Sequence, residues 1–159
     1  MVYADITAPM YWWKEFDTYK VGTVRNSCST MHKITAKEFD ISDFSTDHLQ
    51  PGFHLNADFD IVPPHSPIAQ LQDIIDNLNY WREEYLWNKK KNNEIKLSWW
   101  QIIQLLPSSY NTKATVMLNY EVLANMYFAR KNHKLDEWHK FCDWALTLPY
   151  FKQIIGVDE

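Results

Sequence analysis

Polar and apolar positions alternate at the start of the chain and then change period. Residues 2 to 7, VYADIT, alternate as a short strand does. Pro9 comes next, where its fixed φ suits a first helical turn, so a helix is expected over about 9–20. From 21 to 34 the helical period lapses, and Thr, Ser and Asn accumulate as in an ordered loop. Residues 36 to 66 are irregular, punctuated by Pro51-Gly52 and Pro63-Pro64, with one short helix expected near 36–44. The stretch 32–66 therefore reads as an insertion-like excursion from the surface.

Periodicity returns at Ser66-Pro67, an N-cap and first-turn pair. Behind it Ile68, Leu71, Ile75, Leu78, Trp81 and Tyr85 recur at three- and four-residue spacing, predicting a long amphipathic helix to about 88. The run from Asn88 to Asn93 offers three Lys, as a phosphate-binding patch or, more simply, as a solvated turn between helices. A helix over about 97–106 stops at Pro107. SSYNT then leads into ATVMLNY, whose helical continuation carries Val122, Leu123 and Met126 on one face until residues 131–134 break it. The last helix, 135–148, places Leu135, Trp138, Phe141 or Cys142, Ala145 and Leu148 inward and ends before Pro149.

Length changes the picture only by fixing its scale: 159 residues make one domain, 1–159, with one core. The formal charge of −4 argues against nucleic acid as the main partner, although a local basic pocket remains open. Two Cys without regular spacing fit a reducing compartment, and no stretch is long and apolar enough for a membrane span, so a cytoplasmic protein is expected. With only 3 Gly, a Gly-rich phosphate loop is excluded, and any phosphate must be held by side chains. The 25 aromatic residues (8 Trp, 9 Tyr, 8 Phe) serve a bulky core and subunit interface, or stack on a planar ligand. Six scattered His without HExxH or CxxC spacing give no metal site. Cys28, with Ser27, Ser29 and His32 close by, is the one local nucleophile arrangement, and a structural loop thiol explains it more simply.

Two distant segments read together are more specific. LLPSSYNTKATVMLNYEVLANMYFARKN (105–132), followed by LDEWHKF (135–141), resembles the C-terminal hallmark of the flavin-dependent thymidylate synthases. In that family a Leu-Pro precedes an Asn that opens a helix. A His or Asn stands six positions on, an Arg eleven on, and a Trp in the next helix. Leu106-Pro107, Asn119, Asn125, Arg130 and Trp138 fall in that order here. The opening segment resembles the same family less closely. Counting from Ala8-Pro9, Glu15 stands where the family has Gln, and Thr18-Tyr19-Lys20 stands for Arg-His-Arg. Cys28 or, with a one-residue slip, Ser29 stands for the catalytic Ser, while two further Arg positions hold Thr30 or Met31 and Ile103. The variant motifs also resemble phage and prophage proteins whose longer forms carry an additional N-terminal part.

The resemblance implies a helix-rich α+β fold of the thymidylate-synthase-complementing-protein kind, lacking the family's N-terminal strands. It also implies a homo-oligomer, a tetramer in the family, that binds FAD and a dUMP-like pyrimidine nucleotide. Carried over by position, Cys28 or Ser29 lies beside the reacting base, Lys20 and Arg130 bind nucleotide, and Asn125 and Tyr19 contact the flavin. Lys14, Arg25 and Lys113 are, with Lys20, the basic residues from which a nucleotide pocket could be rebuilt. Alternatives stay open for each: Arg130 as a complement to a helix dipole, Asn119 as an N-cap, Trp138 as core, and Glu15 and Asp17 as surface charges. Three functional readings result: a divergent enzyme acting on a pyrimidine nucleotide, an inactive phage protein that sequesters a nucleotide or blocks a host defence protein, and a structural oligomerisation protein.

Overall fold

The computed structural model describes residues 1–27, 33–50 and 66–157. They fall into two units, one built from Met1–Cys28 with Thr112–Glu159 and the other from Ser29–Asn111.

The first unit starts as its alternation predicts. Strand β1, Val2–Pro9, turns its even-numbered side chains Val2, Ala4 and Ile6 onto the core and leaves Tyr3 outward. Pro9, at φ −67° and ψ 153°, opens helix α1, Met10–Phe16. This helix is shorter than expected. Backbone N–H groups of Asp17, Thr18 and Tyr19 bond back to Trp13, Glu15 and Phe16, and the Thr18 hydroxyl also donates to the Glu15 carbonyl, closing a turn that leads to Gly22 at φ +76°. The expected loop instead forms strand β2, Thr23–Ser27, antiparallel to β3, Asn111–Leu118, in register Thr23↔Leu118 to Ser27↔Ala114. Sheet order is β1-β3-β2. Polar β2 is hidden in the sequence because an edge strand has little apolar surface to bury.

Strand β3 is the second correction. ATVML belongs to the central strand, with Ala114, Val116 and Leu118 buried at period two. Asn119 ends the strand and caps helix α4, Tyr120–Arg130, its side-chain oxygen accepting from the Val122 N–H at 2.8 Å. Helix α5, Asp136–Leu146, buries Trp138, Phe141, Cys142 and Ala145 as its spacing predicts. A short helix α6, Phe151–Ile155, lies beyond Pro149, where the sequence predicts none; it seats the fully buried Phe151. At the centre lies Trp12, with ring centroids 5.2 Å from Phe16, 4.7 Å from Trp138 and 5.8 Å from Phe141. Much of the aromatic excess is therefore core.

In the second unit, helix α2, Pro67–Lys90, starts at Ser66, whose hydroxyl accepts from the Ala69 N–H. It packs on helix α3, Lys96–Leu105, around a core that includes Leu71, Ile75, Leu78 and Ile102. The expected helix near 36–44 is reduced to one 3-10 turn, Ile41–Asp43. The cause is local: Asp40 accepts from the Ser42 N–H, and Asp43 reaches back to the Asp40 N–H, a reciprocal cap that closes the turn after three residues. Buried Phe39 and Phe44 flank it, and Asn79 of α2 holds the Phe39 backbone through both its N–H and its carbonyl. Among the described residues, no helix is long and apolar enough to cross a membrane.

The first unit generates two testable expectations. A Cβ on Gly22 would stand 2.5 Å from the Asn119 amide nitrogen, and the backbone there is left-handed, so Gly22→Ala is expected to cost about 1–3 kcal/mol in chemical denaturation. Burial, aided by Asp143, pushes the Cys142 thiol from 9.0 up to about 11. Because the folded value lies above the unfolded one, this stabilisation is present below pH ~9 and is lost as pH rises toward 11. Urea midpoints should fall over that window, and Cys142→Ala should flatten the fall.

Candidate functional site

Arg130 is the last residue of α4, and its position there already favours a cation at the helix C-terminus. Its side chain does more than that. Nε donates to the Tyr19 hydroxyl at 2.9 Å, and Nη1 donates to Glu15 Oε2 at 2.5 Å. The guanidinium carbon lies 4.9 Å from the Trp138 ring centroid and 5.6 Å from that of Tyr19. Such contacts are worth about 0.5–2 kcal/mol each, more as water is excluded. Residues from the end of α1, the turn after it, α4 and α5 thus meet at one guanidinium.

His133 completes the group. The turn after α4 brings its N–H to the Arg130 carbonyl, and its Nδ1 accepts from the Leu135 N–H at 3.1 Å, ahead of α5. With Nδ1 an acceptor, the ring N–H belongs on Nε2, which lies 3.2 Å from Glu15 Oε2. The guanidinium and the imidazole therefore both lie against the same carboxylate oxygen. Exposure of the three side chains is 18% for Arg130, 23% for His133 and 34% for Glu15, so the group is largely sheltered but open on the Glu15 side. Trp138 beneath it is fully buried, and its indole N–H has no hydrogen-bond partner among the described residues.

The other candidates are placed differently. Arg25 lies 4.3 Å over the Trp13 ring and pairs with Asp17 at 2.6 Å, so its charge is already matched within the unit. Lys20 is exposed, with no ion pair among the described residues. Asn125 is exposed on α4, away from the buried positions Val122, Leu123 and Met126. Cys28 and Ser29 lie outside the described residues. Asn119 is an N-cap, and its own N–H also bonds to the Gly22 carbonyl, which places it in the scaffold. The partnership of Glu15 and His133 is absent from the sequence reading. Glu15 reads there as a surface charge, yet its place four residues before Tyr19 is an available signal, since that spacing puts two side chains on one side of a helical turn.

A concavity of about 430 Å³ lies in the other unit between the 38–41 segment and α2. Glu38, Asp40 and Asp76 line it, a charge that opposes any phosphate-bearing ligand.

No protein-family model and no curated protein match the sequence. Solved structures do match. The flavin-dependent thymidylate synthase ThyX of Helicobacter pylori, complexed with FAD and dUMP, aligns in one structure with a TM-score of 0.57 and in another with 0.56. Both alignments have 16% identity and cover 96% of this chain and 70% of that one. A UMP/dUMP methylase, PolB of Streptomyces cacaoi, bound with 5-Br UMP, aligns with a TM-score of 0.48 and 15% identity over 98% of this chain and 73% of that one. The chain has a ThyX-like fold. Identity this low fixes the fold alone, in agreement with the expected helix-rich α+β arrangement, here with a three-stranded sheet. On the ThyX-like fold, the resemblance-derived positions Glu15, Tyr19, Arg130 and Trp138 converge, whereas Asn125 and Arg25 stand apart from them in side-chain contacts.

A half-buried guanidinium and its carboxylate should be energetically coupled. A double-mutant cycle of Arg130→Met and Glu15→Gln, read by urea denaturation, is expected to give a coupling of about 0.5–2 kcal/mol. A coupling near zero would mean the pair adds nothing to the fold.

Proposed function

We propose that this protein binds a pyrimidine nucleotide of the dUMP kind, with Arg130 as the principal recognition residue. The observation that carries the proposal is the convergence on Arg130 of Glu15 and Tyr19 from the start of the chain and Trp138 from near its end. A ThyX-like fold over 96% of the chain supports it, since the Helicobacter pylori proteins of that fold were complexed with FAD and dUMP. A guanidinium flanked by aromatic rings offers planar donors in a fixed direction, the chemistry a heterocycle edge requires. Tyr19 and Glu15 hold that direction through two hydrogen bonds.

FAD enters with less support from the residues. Its diphosphate needs positive charge or several N–H donors. Among the described candidates Arg25 is neutralised by Asp17, Lys113 by Asp5 and Arg130 by Glu15, while the exposed Lys14 and Lys20 have no ion pair among the described residues. These residues do not make up a diphosphate site, so no chemical step is assigned to flavin. Cys28 or Ser29 is proposed as the group beside the reacting base, on the resemblance alone.

A second reading, nucleotide sequestration without turnover, draws on the same charge pairing. Where the flavin-dependent enzymes have Arg-His-Arg, this chain has Thr18-Tyr19-Lys20, of which only Lys20 is cationic. An oligomer, and a host protein as target, belong to this set of proposals.

Absorbance of the freshly purified protein, with mass spectrometry of the molecules that denaturation releases, tests these readings together. The expected result is a released or titratable pyrimidine nucleotide whose affinity falls about tenfold or more in Arg130→Ala, as loss of a charge-assisted hydrogen bond predicts. A flavin absorbance band in the visible would place the chain with the enzymes. No pyrimidine binding by calorimetry, in wild type or variant, would sink the proposal.

A further inference from the structure

Glu15 is the feature of this cluster that an anion-binding site should not have. A carboxylate bonded to the recognition guanidinium at 2.5 Å already occupies part of the fork that a phosphate would take. It also opposes any second anion brought alongside by like-charge repulsion. Yet the pair is not closed. Glu15 Oε2 accepts from Arg130 Nη1 and lies 3.2 Å from the neighbouring His133 Nε2, while Oε1 has no hydrogen-bond partner among the described residues. Arg130 uses Nε–H and one Nη1–H on described partners, two of the five N–H donors a guanidinium carries. A free acceptor on the partly exposed Glu15 and free donors on Arg130 therefore belong to one ion pair, with the Tyr19 and Trp138 rings against its guanidinium.

We infer that Glu15 is a specificity-determining residue that makes the Arg130 site read the edge of a neutral pyrimidine base and turn away phosphate. This rests on the pyrimidine-binding reading above and names which part of the nucleotide the site takes. A uracil edge alternates acceptor and donor: O4, then N3–H, then O2. Arg130 supplies donors to a carbonyl oxygen, and Glu15 Oε1 accepts from N3–H. A phosphate presents acceptors alone and leaves Glu15 facing a like charge. Gln, which stands at this position in the resemblance to the flavin-dependent enzymes, would supply an acceptor without that charge. The carboxylate therefore trades tolerance of anions for selection of a donor on the ligand.

The test uses the full chain, cleared of any resident ligand, and isothermal titration with deoxyuridine and 3-methyl-deoxyuridine, each with and without inorganic phosphate. Wild type should bind deoxyuridine about tenfold or more tightly than its 3-methyl analogue, because the methyl group both removes the donor that Glu15 accepts from and stands where that hydrogen bond would form. Inorganic phosphate should not compete. Glu15→Ala should bring the two nucleosides to within about twofold of each other, the acceptor being gone. Glu15→Gln, close to the native shape, should keep the preference while letting phosphate compete, and so serves if the Ala variant folds poorly. If pyrimidine binding persists and Glu15→Ala retains the full preference, the inference is overturned while the pyrimidine site stands. If phosphate competes equally in wild type and Glu15→Gln, it is overturned as well. Wild type that binds neither nucleoside nor dUMP removes both this inference and the reading beneath it.

Discussion

A guanidinium four-fifths removed from water has to be matched by a counter-charge, and in this protein that requirement ties both ends of one unit together. Arg130 is 18% exposed, and its partner Glu15 lies 115 residues earlier in the chain. Leaving such a charge unpaired costs several kcal/mol, more than a typical surface contact can return. The pair therefore fixes where the end of α4 stands relative to α1. Trp138, which forms the floor of the pair, is also the partner of Trp12 at the centre of the aromatic core. Core and candidate site are one packed assembly, so the geometry at Arg130 inherits the rigidity of the core.

The same economy explains how charges elsewhere in the unit are disposed. Arg25 lies over Trp13 and pairs with Asp17, and Asp5 accepts from Thr115 while pairing with Lys113. Lys113 and Thr115 together hold the Asp5 carboxyl below the usual carboxylate range. Basic residues that resemble a scattered phosphate pocket in the sequence are mostly matched by the protein's own carboxylates. A protein of net charge −4 has little cationic surplus, and here that surplus is not concentrated at the site. This is why a base-edge reader suits the structure better than a phosphate cradle does.

Edge and centre of the sheet show how far local patterning reaches. β1 is legible because Val2, Ala4 and Ile6 alternate with outward residues, and α2 because its apolar side chains keep a helical period behind a Ser-Pro start. β2 is not legible, since Thr23–Ser27 lies at the edge of the sheet and its exposed residues carry no period to read. β3 reads as the approach to a helix because Asn119 caps a true helix in the residues directly after it, and only pairing to β1 and β2 draws ATVML into a strand. Near residues 36–44, a reciprocal cap closes after three residues a helix that composition leaves room to extend.

By itself, the sequence determined the major helices, their caps, the apolar faces of α4 and α5, and the set of residues from which a site could be made. Those properties depend on neighbours within a turn or two, where backbone geometry sets the spacing. Tertiary structure alone decided which of those residues meet. It joined Arg130 to Glu15, Tyr19, His133 and Trp138, set Arg25 against Asp17, and left Lys20 and Asn125 in solvent. An ion pair between residues 15 and 130 has no signature in either segment, because charge complementarity acts through space and every carboxylate in the chain is an equal candidate until the chain has folded.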